Sequence, residues 1–469
     1  MKTTFDVAII GSGFAGSILA WILAKHGRRV ALIDAASHPR FAIGESSTPI
    51  ADLVLRRLGD KHAIAELVNL STFGSWQKHH PEISCGKKRG FSYYVHSKGQ
   101  LFAESDRHEH SLLVAASASD AVADTHWYRS EVDAFLHARA IESGAIDFAN
   151  QAVVNLTPDD EAFITLSGGQ TIRSTYVIDA SGQACVMARL LGMTDLAPTL
   201  ATNTRCTFAH YRGVASWSAA TDTDRFPFDS DDAAQHHLID DGWLWMLRFN
   251  NGITSVGRTT TSPRVGPIVP DNYPTIEQMF SRAKMIAPDD GPRVSGRLQR
   301  LFQPAVSQTC WMLPTAAATI DPLHSTGIAH ALAGVDRTVD LILSGADQPT
   351  VMQYAQTVTA EARFLDLLIS TAYRSMHEFS RFTTAGMLYF AAAIGCEERY
   401  QQGETPSHLF NADDNAFVSA VESSCSELVV DIDPHVIADR IRLSISPWNT
   451  AGLLDPTVHN RYAYTATKR

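Results

Sequence analysis

The first apolar run of the chain, Phe5-Asp6-Val7-Ala8-Ile9-Ile10, has the length and character of a buried parallel strand. A glycine-rich turn follows it. Residues 14–26 then carry a helical pattern that ends near Gly27, and residues 29–34 form a second strand-like run. Strand, helix, strand in that order implies a parallel sheet, because parallel neighbours need a crossover between them. Further along, residues 48–70 suggest a helix carrying Leu53, Leu55 and Leu58, and residues 83–103 alternate as strands do. Residues 130–142 are helical in pattern, and 151–180 read as strands about a Gly168-Gly169 turn. Strand-like stretches recur near 203–211 and 243–257, helical patterns dominate from about 327, and the tail 445–469 looks irregular. The chain shows no internal repeat and no long low-complexity tract.

The turn after the first strand is Gly11-Ser12-Gly13-Phe14-Ala15-Gly16, a G-x-G-x-x-G, and Asp34 closes the next strand 18 residues after its last glycine. Alone the motif is weak; between an apolar strand and a helix, with the acid at that distance, it reads as a dinucleotide site. Gly11 allows the tight turn, Gly13 lets backbone approach a pyrophosphate, and Gly16 lets helix and strand pack closely. The helix N-terminus offers N–H groups and positive dipole charge to phosphate, and Asp34 suits ribose hydroxyls. The motif does not separate FAD from NAD.

Composition narrows the picture. The chain has 469 residues with 45% hydrophobic and 19% charged, ordinary globular values with ample material for a large core. A net charge of -11 argues against nucleic acid or an anionic membrane as main partner. The six cysteines are widely spread with no C-x-x-C pair, the pattern of a reduced cytoplasmic protein and not of a disulfide framework or a zinc site. No metal is expected. The apolar stretch at 7–24 is broken by three glycines and is not a membrane span.

Three later segments favour FAD over a mobile NAD. Residues 126–136, with Arg129, resemble the Arg-containing helix start of flavin monooxygenases. Tyr176-Val177-Ile178-Asp179-Ala180-Ser181-Gly182 resembles the strand that returns to the nucleotide fold in that superfamily. Asp321-Pro322-Leu323-His324-Ser325-Thr326-Gly327-Ile328 resembles its third flavin segment.

Four local matches are more specific, and with them the chain resembles the flavin-dependent halogenases, closest to the phenol-halogenating branch. They are His38 to Pro49, containing Gly44-Glu45-Ser46-Ser47, similar to the flavin-adjacent strap; Cys85 to Tyr93, similar to the catalytic-lysine segment; Gly242-Trp243-Leu244-Trp245-Met246-Leu247, a variant of the W-x-W-x-I-P motif; and the stretch from Leu313 to Ile328. The likeness runs from residue 5 to about 340 and is loose beyond. It departs from the motif at Met246-Leu247-Arg248, which puts the local backbone in question. His324 stands where several tryptophan halogenases carry glutamate, which weighs against tryptophan as substrate. Pro314-Thr315 replaces the Gly-Asp of flavin hydroxylases, as in the phenol branch.

The resemblance implies an α/β, Rossmann-like FAD-binding fold of the flavin monooxygenase/halogenase type. Residues 1–345 would form the core, with β-rich substrate segments at about 80–125 and 190–300, and residues 346–469 a helical substrate-covering region. It implies cofactor contacts from Gly11, Gly13, Phe14, Ala15, Gly16, Asp34, Glu45, Ser46, Ser47, Arg129, Asp179, Asp321, Gly327 and Ile328. Halide would sit at Ser325, Thr326 and Gly327, where backbone N–H groups at a loop-to-helix junction suit an anion. Lys88 is the expected catalytic residue, receiving hypohalous acid made from FADH2, O2 and chloride or bromide. Adjacent lysines on a strand point to opposite faces, so one of the Lys87–Lys88 pair is expected to be a solvated surface charge. Trp243 and Trp245 share a face of their strand and would wall the flavin from the substrate.

The leading expectation is therefore a two-component halogenase of a small electron-rich, phenolic aromatic, served by a separate NAD(P)H-dependent flavin reductase because no second nucleotide motif is visible. A homodimer is left open. The aromatic segments 91–94 and 388–390 are available to line a substrate pocket, although core packing is the default for such residues. The alternatives are a flavin hydroxylase or reductase of the same fold, and a flavin-binding protein without turnover.

Overall fold

A computed structural model of the chain describes residues 3–159, 161–222 and 225–466. The strand Thr3–Ile10 lies at the centre of a seven-stranded sheet, parallel to Val30–Ile33 on one side and to Thr171–Asp179 on the other. Val7, Ala8, Ile9 and Ile10 are all buried, as a strand covered on both faces requires. The strand Thr171–Asp179 is long enough to serve two partners. Its first half pairs antiparallel with Ala162–Leu166 and its second half parallel with Cys310–Met312. This returns the chain beside the glycine loop. The helix Phe14–Lys25 packs between Arg129–Glu142 and Gly327–Ser344.

A nine-stranded mixed sheet gathers strands far apart in sequence. Its order is Lys284–Ala287, Arg205–Arg212, Ile253–Thr260, Gly242–Arg248, Ala233–Ile239, Gly90–Val95, Ser111–Ala115 and Arg461–Tyr462, with Arg293–Val294 also on Arg205–Arg212. The two faces divide cleanly. Tyr93, Trp243, Trp245 and Phe208 join the main core shared with the nucleotide sheet, while Tyr94, Leu244, Met246 and Ala209 form a second core with Trp217. That is the period-two alternation of a sheet covered on both sides.

The C-terminal part is helical. Gln348–Ser375 and Phe379–Gln401 pack along each other, and the latter also packs on Pro49–His62. Three local expectations differ from the structure. The helix expected over 48–70 is broken by Ala63 in the left-handed region (φ 52°), giving Pro49–His62 and Ala65–Asn69. The strand carrying the tryptophan pair continues through Arg248, whose guanidinium is held by Asp231 and the carbonyls of Val214 and Ala215. The irregular tail contains Arg461–Tyr462, which pairs parallel with Ser111–Ala115.

Candidate active site

The glycine loop shows why it must be glycine. Gly11 has φ +108°, and a Cβ there would lie 2.5 Å from the Ala180 carbonyl oxygen. A Cβ on Gly16 would lie 1.9 Å from the Gly11 oxygen. Gly13 differs: the nearest atoms to its missing Cβ are the Arg129 guanidinium at 3.5 Å and the Asp133 carboxylate at 3.7 Å. It leaves a cradle between the helix start, with Phe14 and Ala15, and a buried arginine. Arg129 is bidentate on Asp133, donates to the carbonyls of Ile43 and Gly44, and lies over the Phe14 ring. A backbone cradle at a helix N-terminus flanked by a cation fits a pyrophosphate, so the residues present fit FAD.

Asp34 follows the second strand. Burial raises its pKa, but Arg40 on both oxygens and the N–H groups of Ser12 and Ala36 outweigh burial and bring it down to about 2. Ribose hydroxyls placed at this carboxylate would share it with Arg40. Asp179 spends its carboxylate on the N–H groups of Ser181 and Met187, which shapes the return turn beside Gly11.

The strap brings Glu45, Ser46 and Ser47 against the strand Asp124–Trp127. Ser46 bridges His126, Ser47 N–H donates to Thr125, and the Glu45 carbonyl accepts from Trp127. The Glu45 carboxylate meets His210 at 2.8 Å, both buried. Lys87 and Lys88 diverge as neighbours on a strand must. Lys87 reaches Asp120 and Asp232 at 2.7 and 2.9 Å near the surface. Lys88 is completely buried; its Nζ donates to the Ser47 carbonyl at 2.6 Å and lies 3.8 Å from the Phe91 ring centroid. A carbonyl and an aromatic face are contacts that help an ammonium leave water. Two buried histidines, His126 and His236, are held neutral by burial first and by the Lys88 charge in addition, each down to about 3.

Trp245 belongs to a row that crosses five strands in register: Tyr93 opposite His236, His236 opposite Trp245, Trp245 opposite Gly257, and Gly257 opposite Phe208. Rings fill the row continuously because Gly257 leaves space. A Cβ there would fall 2.1 Å from the Trp245 ring. Trp243 packs 6.0 Å from Trp245 and 5.0 Å from His236, ring centre to ring centre. Its indole N–H donates to Tyr373, whose hydroxyl donates to Asp321. Asp321 is fully enclosed; burial raises its pKa to about 7 against the hydrogen bonds from Thr204, Leu323 N–H and Tyr373.

Asp321 opens the loop that ends at the helix Gly327–Ser344. Ser325 takes φ +55°, Thr326 immediately precedes the helix, and Gly327 and Ile328 begin it. Their first-turn N–H groups lack intrahelical partners by geometry. His324 is buried, stacked on Tyr389 with ring centres 4.2 Å apart, and its carbonyl accepts from the Tyr389 hydroxyl. Burial holds the imidazole neutral, down to about 3.

A cavity lies against the end of the strap. Thr48, Pro49 and Ile50 of the strap, Phe91, Tyr389 and Phe390 line it, as do Glu397 and the tail residues Leu453, Tyr462 and Tyr464. The aromatic segments singled out in the sequence thus supply Phe91, Tyr389 and Phe390. The sequence reading missed Glu397, Tyr464 and His236; Glu397 opens the charged run Glu397-Glu398-Arg399, which gave no signal of its own. Lys88 does not line the cavity; Phe91, against its ammonium, does.

Among the described residues no group of three or more His, Cys, Asp or Glu is placed to hold a metal, and no helix is long and apolar enough to cross a membrane. The six cysteines are unpaired and buried.

Residues 6–332 match the family model described as FAD dependent oxidoreductase. The chain is 29% identical over 447 residues to tetracycline 7-halogenase of Kitasatospora aureofaciens, covering 88% of this chain and 79% of that protein. It is 29% identical over 417 residues to the monodechloroaminopyrrolnitrin halogenase PrnC of Pseudomonas fluorescens, covering 83% and 71%. The crystal structure of halogenase PltM in complex with phloroglucinol and FAD superposes with a TM-score of 0.86 over 97% of this chain and 99% of that one, at 23% identity. The last comparison concerns the fold; the first three accord with the resemblance found in the motifs.

Proposed function

Starting from a chain that belongs to the FAD-dependent oxidoreductase family and has flavin-dependent halogenases for relatives, we propose an FADH2-dependent halogenase. It uses O2 and chloride or bromide to halogenate a small electron-rich, phenolic aromatic, by way of hypohalous acid received at Lys88. The observation that carries this is the place of Lys88: a wholly buried ammonium fixed between the strap carbonyl of Ser47 and a ring that lines the cavity.

When bound, reduced FAD supplies with O2 the oxidising equivalents that convert halide to hypohalous acid. Residues of the glycine loop, Arg129, residues 45–47, Asp321 and the start of the Gly327–Ser344 helix would hold it. Halide sits on the N–H groups around Ser325, Thr326 and Gly327, an anion site of helix-terminus type. The Tyr93–His236–Trp245 row and Trp243 keep the aromatic substrate away from the flavin, so that it meets the small oxidant and not the cofactor. Lys88 donates a hydrogen bond to the oxidant and orients its halogen toward the cavity. The phenol bound by PltM favours the same substrate type. A separate NAD(P)H-dependent reductase supplies FADH2, and the cytoplasm suits a chain with six unpaired cysteines.

The test is a reaction of the FAD-loaded protein with a flavin reductase, NADH, O2 and bromide or chloride on a panel of phenols. Halogenated product that depends on halide and drops at least 100-fold in Lys88→Ala, with FAD binding retained, is the expected result. Hydroxylated product that is independent of halide and indifferent to Lys88→Ala sinks the proposal.

A further inference from the structure

The cavity wall is apolar apart from hydroxyl groups and a single charged residue, Glu397. Glu397 lies on the helix Phe379–Gln401 and is 98% shielded from solvent, its relative exposure being 2%. Tyr464 donates its hydroxyl to Glu397 Oε1 at 2.6 Å, and Gln401 donates to the same oxygen at 3.0 Å. Burial first, and the Glu397 carboxylate next, keep the Tyr464 phenol protonated well above the usual range. The pair already shows the contact that matters: a phenolic O–H donating to this carboxylate. An ionised carboxylate has about four acceptor positions, and ligand cavities orient a mostly apolar guest by a few placed polar groups.

We propose that Glu397 is the substrate-recognising base of this site: its carboxylate accepts the hydrogen bond of the substrate's phenolic hydroxyl and takes the proton as the ring is halogenated. The proposal rests on the halogenase reading and names what selects a phenol within it. In the step, the halogen of hypohalous acid bonds to a ring carbon as its bond to oxygen breaks. The phenolic proton passes to Glu397, which offsets the positive charge growing on the ring. The halogenated carbon then loses its hydrogen as a proton to the departing hydroxide, which becomes water, and Glu397 returns a proton to the phenolic oxygen. The sum is phenol plus hypohalous acid giving halophenol plus water.

The test uses 4-nitrophenol on the FAD-loaded protein, with no halide and no reductant, because its absorbance distinguishes phenol from phenolate. A carboxylate that accepts from the neutral phenol also repels the phenolate, so bound nitrophenol should titrate at a higher pH than free nitrophenol. Glu397→Gln should abolish that shift, weaken nitrophenol about 10-fold, leave 4-nitroanisole binding unchanged, and lower kcat/KM for phenol halogenation about 100-fold, within the range of general-base effects. Tyr464→Phe removes the tie to the tail and keeps the carboxylate, so the shift should persist. An unchanged titration and kcat/KM in Glu397→Gln overturns the proposal, as does equal loss of the shift in Tyr464→Phe, or a wild type that binds no nitrophenol. The binding arm needs neither halide nor O2. A shift without halogenated product therefore faults the reaction assigned above, and halogenated product without the shift faults Glu397.

Discussion

The Nζ of Lys88 lies 3.8 Å from the centre of the Phe91 ring, and Phe91 lines the cavity. One aromatic ring stands between the ammonium and the cavity. The ring serves as a contact for a buried charge and as a partition, and substitutions can separate these roles.

Phe91→Ala removes the partition. It should cost about 3–5 kcal/mol of stability, the usual penalty for truncating a buried phenylalanine. It should also let oxidant reach more ring positions. Denaturation curves check the first, and the isomer distribution of halogenated product, by chromatography and mass spectrometry, checks the second. Phe91→Leu should lose less stability and keep a narrower distribution.

Gly257→Ala tests the aromatic row. The Trp245 ring occupies the place of the missing Cβ, so the methyl must displace it. A loss of about 1–3 kcal/mol in stability is expected, as for overpacked cores, together with altered tryptophan fluorescence. Unchanged stability and spectrum would mean that the row yields at no cost.

Two carboxylates, Asp321 and Asp34, should respond to pH with opposite signs. Burial raises Asp321 to about 7, so its presence destabilises the fold increasingly as pH rises from its unfolded value near 4 to above 7. Asp321→Asn should therefore gain thermal stability relative to the parent between pH 5 and pH 8. Asp34, held at about 2 mainly by Arg40 and backbone N–H groups against burial, stabilises the fold above about pH 4 and loses that contribution as pH falls toward 2. Asp34→Asn should be less stable than the parent at pH 7, with a gap that narrows below pH 4. Melting temperatures across pH decide both.

Tyr389→Phe keeps the ring stacked on His324 and deletes the hydroxyl that holds the His324 carbonyl at 3.0 Å. That hydrogen bond fixes the loop ahead of Thr326. Its loss should cost about 1 kcal/mol and raise the apparent KM for halide several-fold, with FAD affinity unchanged. Steady-state kinetics over a halide series measure it.

The nucleotide sheet was readable because its physics is local: an apolar strand, glycines that nothing larger replaces, a helix, and an acid at fixed distance. The divergence of Lys87 and Lys88 followed equally from strand geometry. The large sheet was legible only in pieces. That Tyr93, His236, Trp245 and Phe208 share one line depends on the registers of five strands drawn from residues 90 to 260, and no window along the chain contains them together. The break at Ala63 escaped notice because an alanine gives no warning of a left-handed backbone. Glu397 escaped because its significance comes from Tyr464 across the cavity, not from its own helix.

Arg461 of the tail reaches back to Ser111, 350 residues earlier in the chain, and the neighbouring Tyr462 and Tyr464 line the cavity. During synthesis the nucleotide fold can assemble and take up its cofactor long before these residues exist, whereas the cavity gains its last wall only from contacts of the greatest sequence separation, which form slowly.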